Sequence, residues 1–186
     1  MIQRWPLVRS ELRGDYHVFR LRRDFKTSPR TGREMEFHVL ECPDWVNVIA
    51  LTPDRQIVLV EQYRHGTDSV DLEIPGGVMD GADASPVETG IRELREETGF
   101  EGENARLIGR VAPNPAILNN ACHTVLVENC VRRHALDLDS GEDLATHVMP
   151  LSALPELMAT GRFHHSLMIA ALYQFHLWEN GWRLRI

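Results

Sequence analysis

Lysine is almost missing from this sequence: of its 20 basic residues 19 are arginine, and Lys26 stands alone. Arginine suits bidentate phosphate binding, but so one-sided a usage reads as genome composition and receives no functional weight. Cysteine is scarce as well. Cys42, Cys122 and Cys130 form an odd set without Cys-x-x-Cys spacing, which indicates neither a disulfide framework nor a cysteine zinc site and leaves buried thiols in a reducing compartment. No run of about 18 uninterrupted apolar residues is available to span a bilayer, and the opening Met1-Ile2-Gln3-Arg4-Trp5-Pro6 lacks the apolar stretch of a secretory signal. A soluble cytoplasmic protein is expected, with no membrane partner. Positive charge in excess is also missing. The net charge of −7 argues against coating nucleic acid or an anionic membrane, because those surfaces demand cations that displace counterions. It does not exclude an anionic substrate held through a metal ion. Internal repeats, low-complexity tracts and flexible linkers are absent too.

What is present is a chain of 186 residues, 43% hydrophobic and 25% charged, enough for one globular domain with a small subdomain at one end. The N-terminal stretch has strand-like segments at Tyr16 to Phe25 and Met35 to Leu40, separated by the polar turn Lys26-Thr27-Ser28-Pro29-Arg30-Thr31-Gly32. A hairpin follows. Residues 1 to 34 hold nine basic residues against Glu11, Asp15, Asp24 and Glu34, the composition of an arm that packs on a partner subunit. The division expected is an arm over residues 1–42 and a main domain over 43–186.

In the main domain, Trp45 to Leu51 and Gln56 to Gln62 are β-branched runs joined by the turn-forming Thr52-Pro53-Asp54-Arg55. Arg106 to Val111, Cys122 to Glu128 and Thr146 to Met149 are further strand candidates, and the apolar periodicities after Ser152 and Ser166 predict helices. The fold class is α/β (α+β) with a mixed sheet.

The informative segment begins at Leu72-Glu73-Ile74-Pro75-Gly76-Gly77 and ends at Thr98-Gly99-Phe100. Its second half predicts a helix over about 86 to 98: Ser85 and Glu88 have capping-box spacing, Pro86 takes the first helical position, and Gly99 suits a left-handed cap. Glu93, Glu96 and Glu97 then stand at i, i+3 and i+4, on neighbouring positions of one face. By themselves they read equally as a solvated acidic face with Arg92 and Arg95 as local ion partners. Two adjacent glycines just upstream change that reading, because a backbone without Cβ approaches a ligand closely. Hard divalent cations want several oxygens of this kind.

These residues resemble the Nudix box, in which a glycine, a spaced acid, Arg-Glu, two residues, Glu-Glu, one residue and glycine define a loop-helix-loop site. Gly77, Asp83, Arg92-Glu93, Glu96-Glu97 and Gly99 match it, with two departures: the spaced acid is Asp83 rather than glutamate, and eight rather than seven residues separate it from Arg92. Since Asp83 precedes the cap Ser85, the extra residue falls in the loop and leaves the carboxylates in register. The resemblance implies an α/β/α sandwich around a mixed sheet with an N-terminal antiparallel β subdomain. It also implies a magnesium site, with manganese as the alternative ion. Glu93 and Glu97 would be the principal ligands, Glu96 a further ligand or water-orienting acid, the Gly76 carbonyl a backbone ligand, and Arg92 a brace for the carboxylates. The chemistry implied is attack of water on a pyrophosphate.

Outside the box, Val60-Glu61-Gln62-Tyr63-Arg64 followed by Leu72-Glu73-Ile74-Pro75-Gly76-Gly77 resembles the branch of that family acting on ADP-ribose and other nucleoside diphosphate sugars. That likeness implies a homodimer with an exchanged N-terminal arm, phosphate contact by Arg64, and either substrate binding or a place in the dimer contact for Glu73. Gly141-Glu142-Asp143 is similar to the branch's late acidic loop, which makes Glu142 the expected general base and Asp139 and Asp143 its rivals. Asn119, in the amide-rich loop Asn114 to Asn120, suits a sugar or base edge, and turn formation explains it equally well. His164-His165 point apart if helical, and His123 reads as a packed strand residue. Two alternatives stand beside this reading: a Nudix hydrolase of dinucleoside polyphosphates, coenzyme A or nucleoside triphosphates, and a Nudix ligand-sensing module without catalysis.

Overall fold

The computed structural model describes residues 1–183, so the last three residues of the expected 43–186 domain lie outside the described residues. The chain divides into two compact units, Met1–Asp44 with Ala112–Ala121, and Trp45–Val111 with the chain from Cys122 onward.

In the first unit, β1 (Leu7–Asp15), β2 (Arg20–Thr27) and β3 (Glu34–Glu41) form an antiparallel sheet in that order. The hairpin expected from the sequence is β2 with β3, but its first strand begins at Arg20 rather than Tyr16. Tyr16 to Phe19 instead make the β1–β2 turn, in which the Tyr16 N–H donates to the Phe19 carbonyl at 3.0 Å and His17 takes a φ of 65°. Strand β1 escapes the sequence pattern because nearly all its side chains are exposed, so no apolar alternation marks it. Cross-strand ion pairs hold it instead: Arg23 Nη2 to Glu11 Oε2 and Arg9 Nη1 to Glu34 Oε1, each 2.6 Å. The loop from Ala112 to Ala121 belongs to this unit. Within it the Leu40 N–H donates to the Ile117 carbonyl at 2.8 Å and the Cys42 N–H to Asn119 Oδ1 at 3.0 Å.

The second unit follows the order β4 (Trp45–Ala50), β5 (Gln56–Arg64), β6 (Ser69–Glu73), β7 (Gly76–Val78), α1 (Pro86–Thr98), β8 (Phe100–Val111), β9 (Cys122–Arg132), β10 (Leu144–Pro150), α2 (Leu154–Ala159) and α3 (Ser166–Glu179). Strands β7, β4, β9 and β8 form one sheet, with β4 and β9 parallel and the other neighbours antiparallel; β10, β5 and β6 form an antiparallel second sheet. The two-residue period of a strand sends alternate side chains to opposite faces. Val46, Val48, Ala50, Val125 and Val127 pack with Leu94 of α1, while Ile49, Ile108 and Leu126 pack with Met168, Ala171, Leu172 and Phe175 of α3. A mixed sheet thus lies between two helices, the three-layer arrangement expected. Each fully buried Val, Leu, Ile or Phe contributes about 1.5–3 kcal/mol, and the core under α1 holds β4 against Leu94 and Val87. That core sets where the carboxylates of α1 can stand.

Candidate active site

Helix α1 has the ends its sequence calls for. Ser85 Oγ accepts from the Glu88 N–H at 3.3 Å, Pro86 opens the first turn, and Gly99, at φ 71°, donates its N–H to the Arg95 carbonyl at 2.8 Å. Glu88 departs from the capping box by one residue, its Oε2 accepting from the Ala84 N–H at 3.1 Å. Thr89, Gly90, Glu93, Leu94, Glu97 and Thr98 form the buried face. Glu93 and Glu97 are 8% and 3% exposed, so these two belong to no solvated acidic stripe. Glu96 sits at the rim, half-buried.

The glycine pair is required by close approach. Strand β7 pairs Gly77 with Val46 and Gly76 with Asn47 of β4, and a Cβ on Gly77 would lie 2.5 Å from the Glu93 carboxyl carbon. A Cβ on Gly76 would collide with the Val46 carbonyl oxygen. Gly76 meets the carboxylates through its amide, which donates to Glu97 Oε2 at 2.9 Å. The Nudix resemblance assigns a role only to its carbonyl.

Arg92 spans the acids. Its guanidinium reaches Asp83 Oδ2 at 3.0 Å, the Val78 carbonyl at 3.2 Å, and Glu93 Oε1 and Glu96 Oε2 at 2.9 Å each. Arg92, aided by the Asp80 N–H and the Thr89 hydroxyl, draws the Asp83 carboxyl down to about 2, so the loop between β7 and α1 is tied to the helix by a full ion pair. The extra loop residue before Arg92 therefore costs no registration. Burial pushes Glu97 up to about 8, with the charges of Glu93 and Glu142 acting in the same direction and the Gly76 amide and Arg64 opposing it. Burial also raises Glu93, assisted by Glu96 and Glu142 and resisted by Arg92.

Glu142 is the member of the late loop whose charge reaches both Glu93 and Glu97. Its Oε2 accepts from the Asp139 N–H at 3.0 Å and its own N–H donates to the Asp139 carbonyl at 2.9 Å, a closed turn at the surface. Two anchors bring this loop to α1: the Asp137 N–H donates to the Glu96 carbonyl at 3.0 Å, and Thr146 Oγ1 to the Glu97 carbonyl at 3.5 Å. No sequence pattern pointed to Asp137 or Thr146, since both act on carbonyls 41 and 49 residues away.

Arg64 and Glu73 lie together on the face of β5 and β6. Glu73 is wholly buried, with Oε1 taking Arg64 Nε at 3.0 Å and Oε2 taking Arg64 Nη2. Its carboxylate thus faces Arg64 rather than open space. Arg64 lines a cavity of about 270 Å³ with Trp45, Asn47, Gly76, Gly77 and His165. Asn119 is part of the first unit and its Oδ1 is engaged by the Cys42 N–H, which ties its loop to the chain just after β3. His164 and His165 precede α3 rather than lie on a helix: the His164 ring lies 3.8 Å from Asp71 Oδ1, and His165 Nδ1 caps α3 by accepting from the Leu167 N–H at 3.2 Å. Cys122 and Cys130 are buried thiols and Cys42 is half-buried.

The donor set around Gly76–Gly77 consists entirely of oxygens, which suits a hard divalent cation. Two buried carboxylates with raised pKa values leave a charge deficit that such a cation would fill. Among the described residues no three acidic, histidine or cysteine side chains already converge as a metal cluster, because Arg92 holds Glu93 and Glu96 and the Gly76 amide holds Glu97.

The NUDIX domain family model matches residues 42–172. The chain belongs to the Nudix hydrolase family. Among relatives of this Nudix hydrolase, the methanol dehydrogenase activator of Bacillus methanolicus is 28% identical over 149 residues, 80% of each chain. The ADP-ribose pyrophosphatase of Bacillus subtilis is 29% identical over 112 residues, 60% of each chain. A crystal structure of an ADP compounds hydrolase superposes with a TM-score of 0.85 over 97% of both chains at 21% identity, a likeness of fold. Among the described residues no helix is long and apolar enough to cross a membrane.

Proposed function

We propose that this Nudix hydrolase splits the pyrophosphate of ADP-ribose or a related nucleoside diphosphate sugar, in a magnesium-dependent reaction giving a nucleoside monophosphate and a sugar phosphate. The observation that carries the reading is the burial of Glu93 and Glu97 against the Gly76–Gly77 turn, and the choice of substrate leans on the ADP-ribose pyrophosphatase relative. Glu93, Glu97 and Glu96, with the Gly76 carbonyl, are the residues to hold magnesium, or manganese in its place. When bound, the ion supplies charge for the phosphate oxygens and acidity for a water molecule.

The protein's own groups do the rest. Arg92 keeps Glu93 and Glu96 in place while it remains tied to Asp83. Glu142, as general base, takes the proton of the attacking water once its carboxylate leaves the Asp139 amide, since a base acts only within hydrogen-bond reach. A surface turn closed by two hydrogen bonds is of the kind that rearranges on binding. The reading also makes the protein a homodimer through its N-terminal arm; Leu7, Val8, Leu12 and Met35 are left exposed on that sheet, an apolar group that favours a partner surface.

The test is incubation with magnesium and a panel of ADP-ribose, GDP-mannose, UDP-glucose, diadenosine polyphosphates and deoxynucleoside triphosphates, with released phosphates measured. Release of AMP from ADP-ribose, abolished by chelator and restored by magnesium, is the expected result. Turnover confined to the polyphosphates or triphosphates would replace the substrate, and no turnover at all would sink the enzymatic reading. Light scattering gives the oligomeric state.

A further inference from the structure

The β5–β6 register places Val60 opposite Glu73, Gln62 opposite Asp71 and Arg64 opposite Ser69. With the two-residue strand period, Arg64, Asp71 and Glu73 share one face. To reach Glu73, the Arg64 side chain runs back along the sheet past the Gln62–Asp71 pair. It arrives side-on, giving Nε and Nη2 to the two oxygens of a carboxylate with no exposed surface. A guanidinium has five N–H donors in a rigid plane, and this contact employs two. The other three lie on the far edge, and Arg64, its side chain 39% exposed, borders the cavity beside Gly76 and Gly77.

The charges of Glu97 and Asp71 both act on Arg64, and Asp71 Oδ1 is buried without a hydrogen-bond partner. A guanidinium released from Glu73 would still feel the charges of Asp71 and of Glu97 at the proposed ion site. Glu73 is also shut off from any ligand. Any action of Glu73 on a ligand passes through Arg64.

We propose that Glu73 is a positioning residue, whose two-point contact holds Arg64 flat so that its free N–H edge meets a phosphate oxygen of the substrate beside Gly76–Gly77. The inference rests on the pyrophosphate-hydrolase reading above. Loss of the contact lets the guanidinium swing to Asp71 or Glu97, which weakens phosphate binding and leaves the bond-breaking machinery on α1 intact.

The test compares wild type, Arg64→Gln, Glu73→Gln and the double variant by ADP-ribose kinetics. Calorimetry with imidodiphosphate and magnesium runs alongside, because the P–N–P bridge reports anion binding without turnover. Each single variant is expected to raise KM and the imidodiphosphate Kd about 10- to 100-fold, the range for a hydrogen bond to a charged group, with kcat changed less than about threefold. The double variant should be no worse than Arg64→Gln alone, the non-additivity of two residues acting as one. A merely structural Glu73 would give additive losses falling on kcat, and that result overturns the proposal, as does an unchanged KM in Glu73→Gln. Should Glu73→Gln fail to fold, Glu73→Asp, which keeps the charge but is too short for the two-point contact, decides the matter by the same KM criterion. If wild type hydrolyses no nucleotide, the functional reading fails by itself. Imidodiphosphate binding that depends on both residues then still supports the positioning role, and its absence rejects it.

Discussion

Gly77 lies so close to Glu93 that a single methyl group on it would stand 2.5 Å from the carboxyl carbon. Gly77→Ala must therefore push the Glu93 carboxylate aside. A displacement of about 1 Å at a reacting centre costs on the order of 100-fold in rate, and a drop of that size in kcat, with an unchanged circular dichroism spectrum, is expected. Gly81→Ala is the control, since a Cβ there meets nothing within 4 Å.

Glu97 sets a stability that runs against function. Its carboxyl is pushed from 4.5 up to about 8, first by burial and then by Glu93 and Glu142. In the metal-free protein its stabilising share is therefore fully present below pH 4.5 and is lost as pH rises through about 8. Glu97→Gln removes the titration and keeps an oxygen for the Gly76 amide. In chelator the variant should melt with wild type near pH 4.5 and about 5 °C or more above it at pH 9, while its turnover is abolished. A wild type whose melting temperature does not fall across that range would show that Glu97 is not a buried carboxylate.

Arg92 carries four contacts that no lysine can reproduce, because a planar fork is replaced by one ammonium. Arg92→Lys should lower stability by about 1–2 kcal/mol in urea titrations, a figure kept modest by the guanidinium's partial exposure. The Asp83 partner, drawn down to about 2, contributes stability that is present above its ordinary value of 3.8 and is lost only as pH falls through about 2. The share of the difference between wild type and variant that comes from Asp83 should thus be the same at pH 7 and pH 5.

Glu142 and Asp139 are separated by one measurement. Removal of a general base lowers the rate about 10²- to 10⁴-fold, so Glu142→Gln should reduce kcat in that range and leave metal affinity close to wild type. Asp139 takes part in the turn through its backbone, and Asp139→Asn should stay within a few-fold of wild type. The reverse ranking would move the base to Asp139.

Core packing behind the site can be probed without touching it. Leu94 is 1% exposed, on the buried face of α1 among Val48, Val125 and Val127. Leu94→Ala should cost about 2–5 kcal/mol, read from urea unfolding, with a raised dependence of activity on temperature.

Local signals carried far in this chain. The ends of α1 were legible because caps are short-range chemistry, and Ser85, Pro86 and Gly99 do what their spacing announces. The strands of the main sheet were legible as β-branched runs. Strand β1 was not, since charged cross-strand pairs such as Arg23 with Glu11 leave no apolar period to read. Burial was also out of reach: Glu93, Glu96 and Glu97 are equivalent in spacing, and packing of Leu94 against the sheet sends the first and third inward and leaves Glu96 at the rim.

The sequence by itself determined the family, the limits of the acid-bearing helix and the glycine turn before it, because a continuous motif needs only neighbours in the chain. Tertiary structure alone decided which carboxylates lose solvent, that Glu73 pairs with Arg64, and that Asp137 and Thr146 dock the late loop onto α1. Those relations join positions far apart in the chain, and burial and hydrogen-bond geometry exist only once the sheets and helices have closed around them.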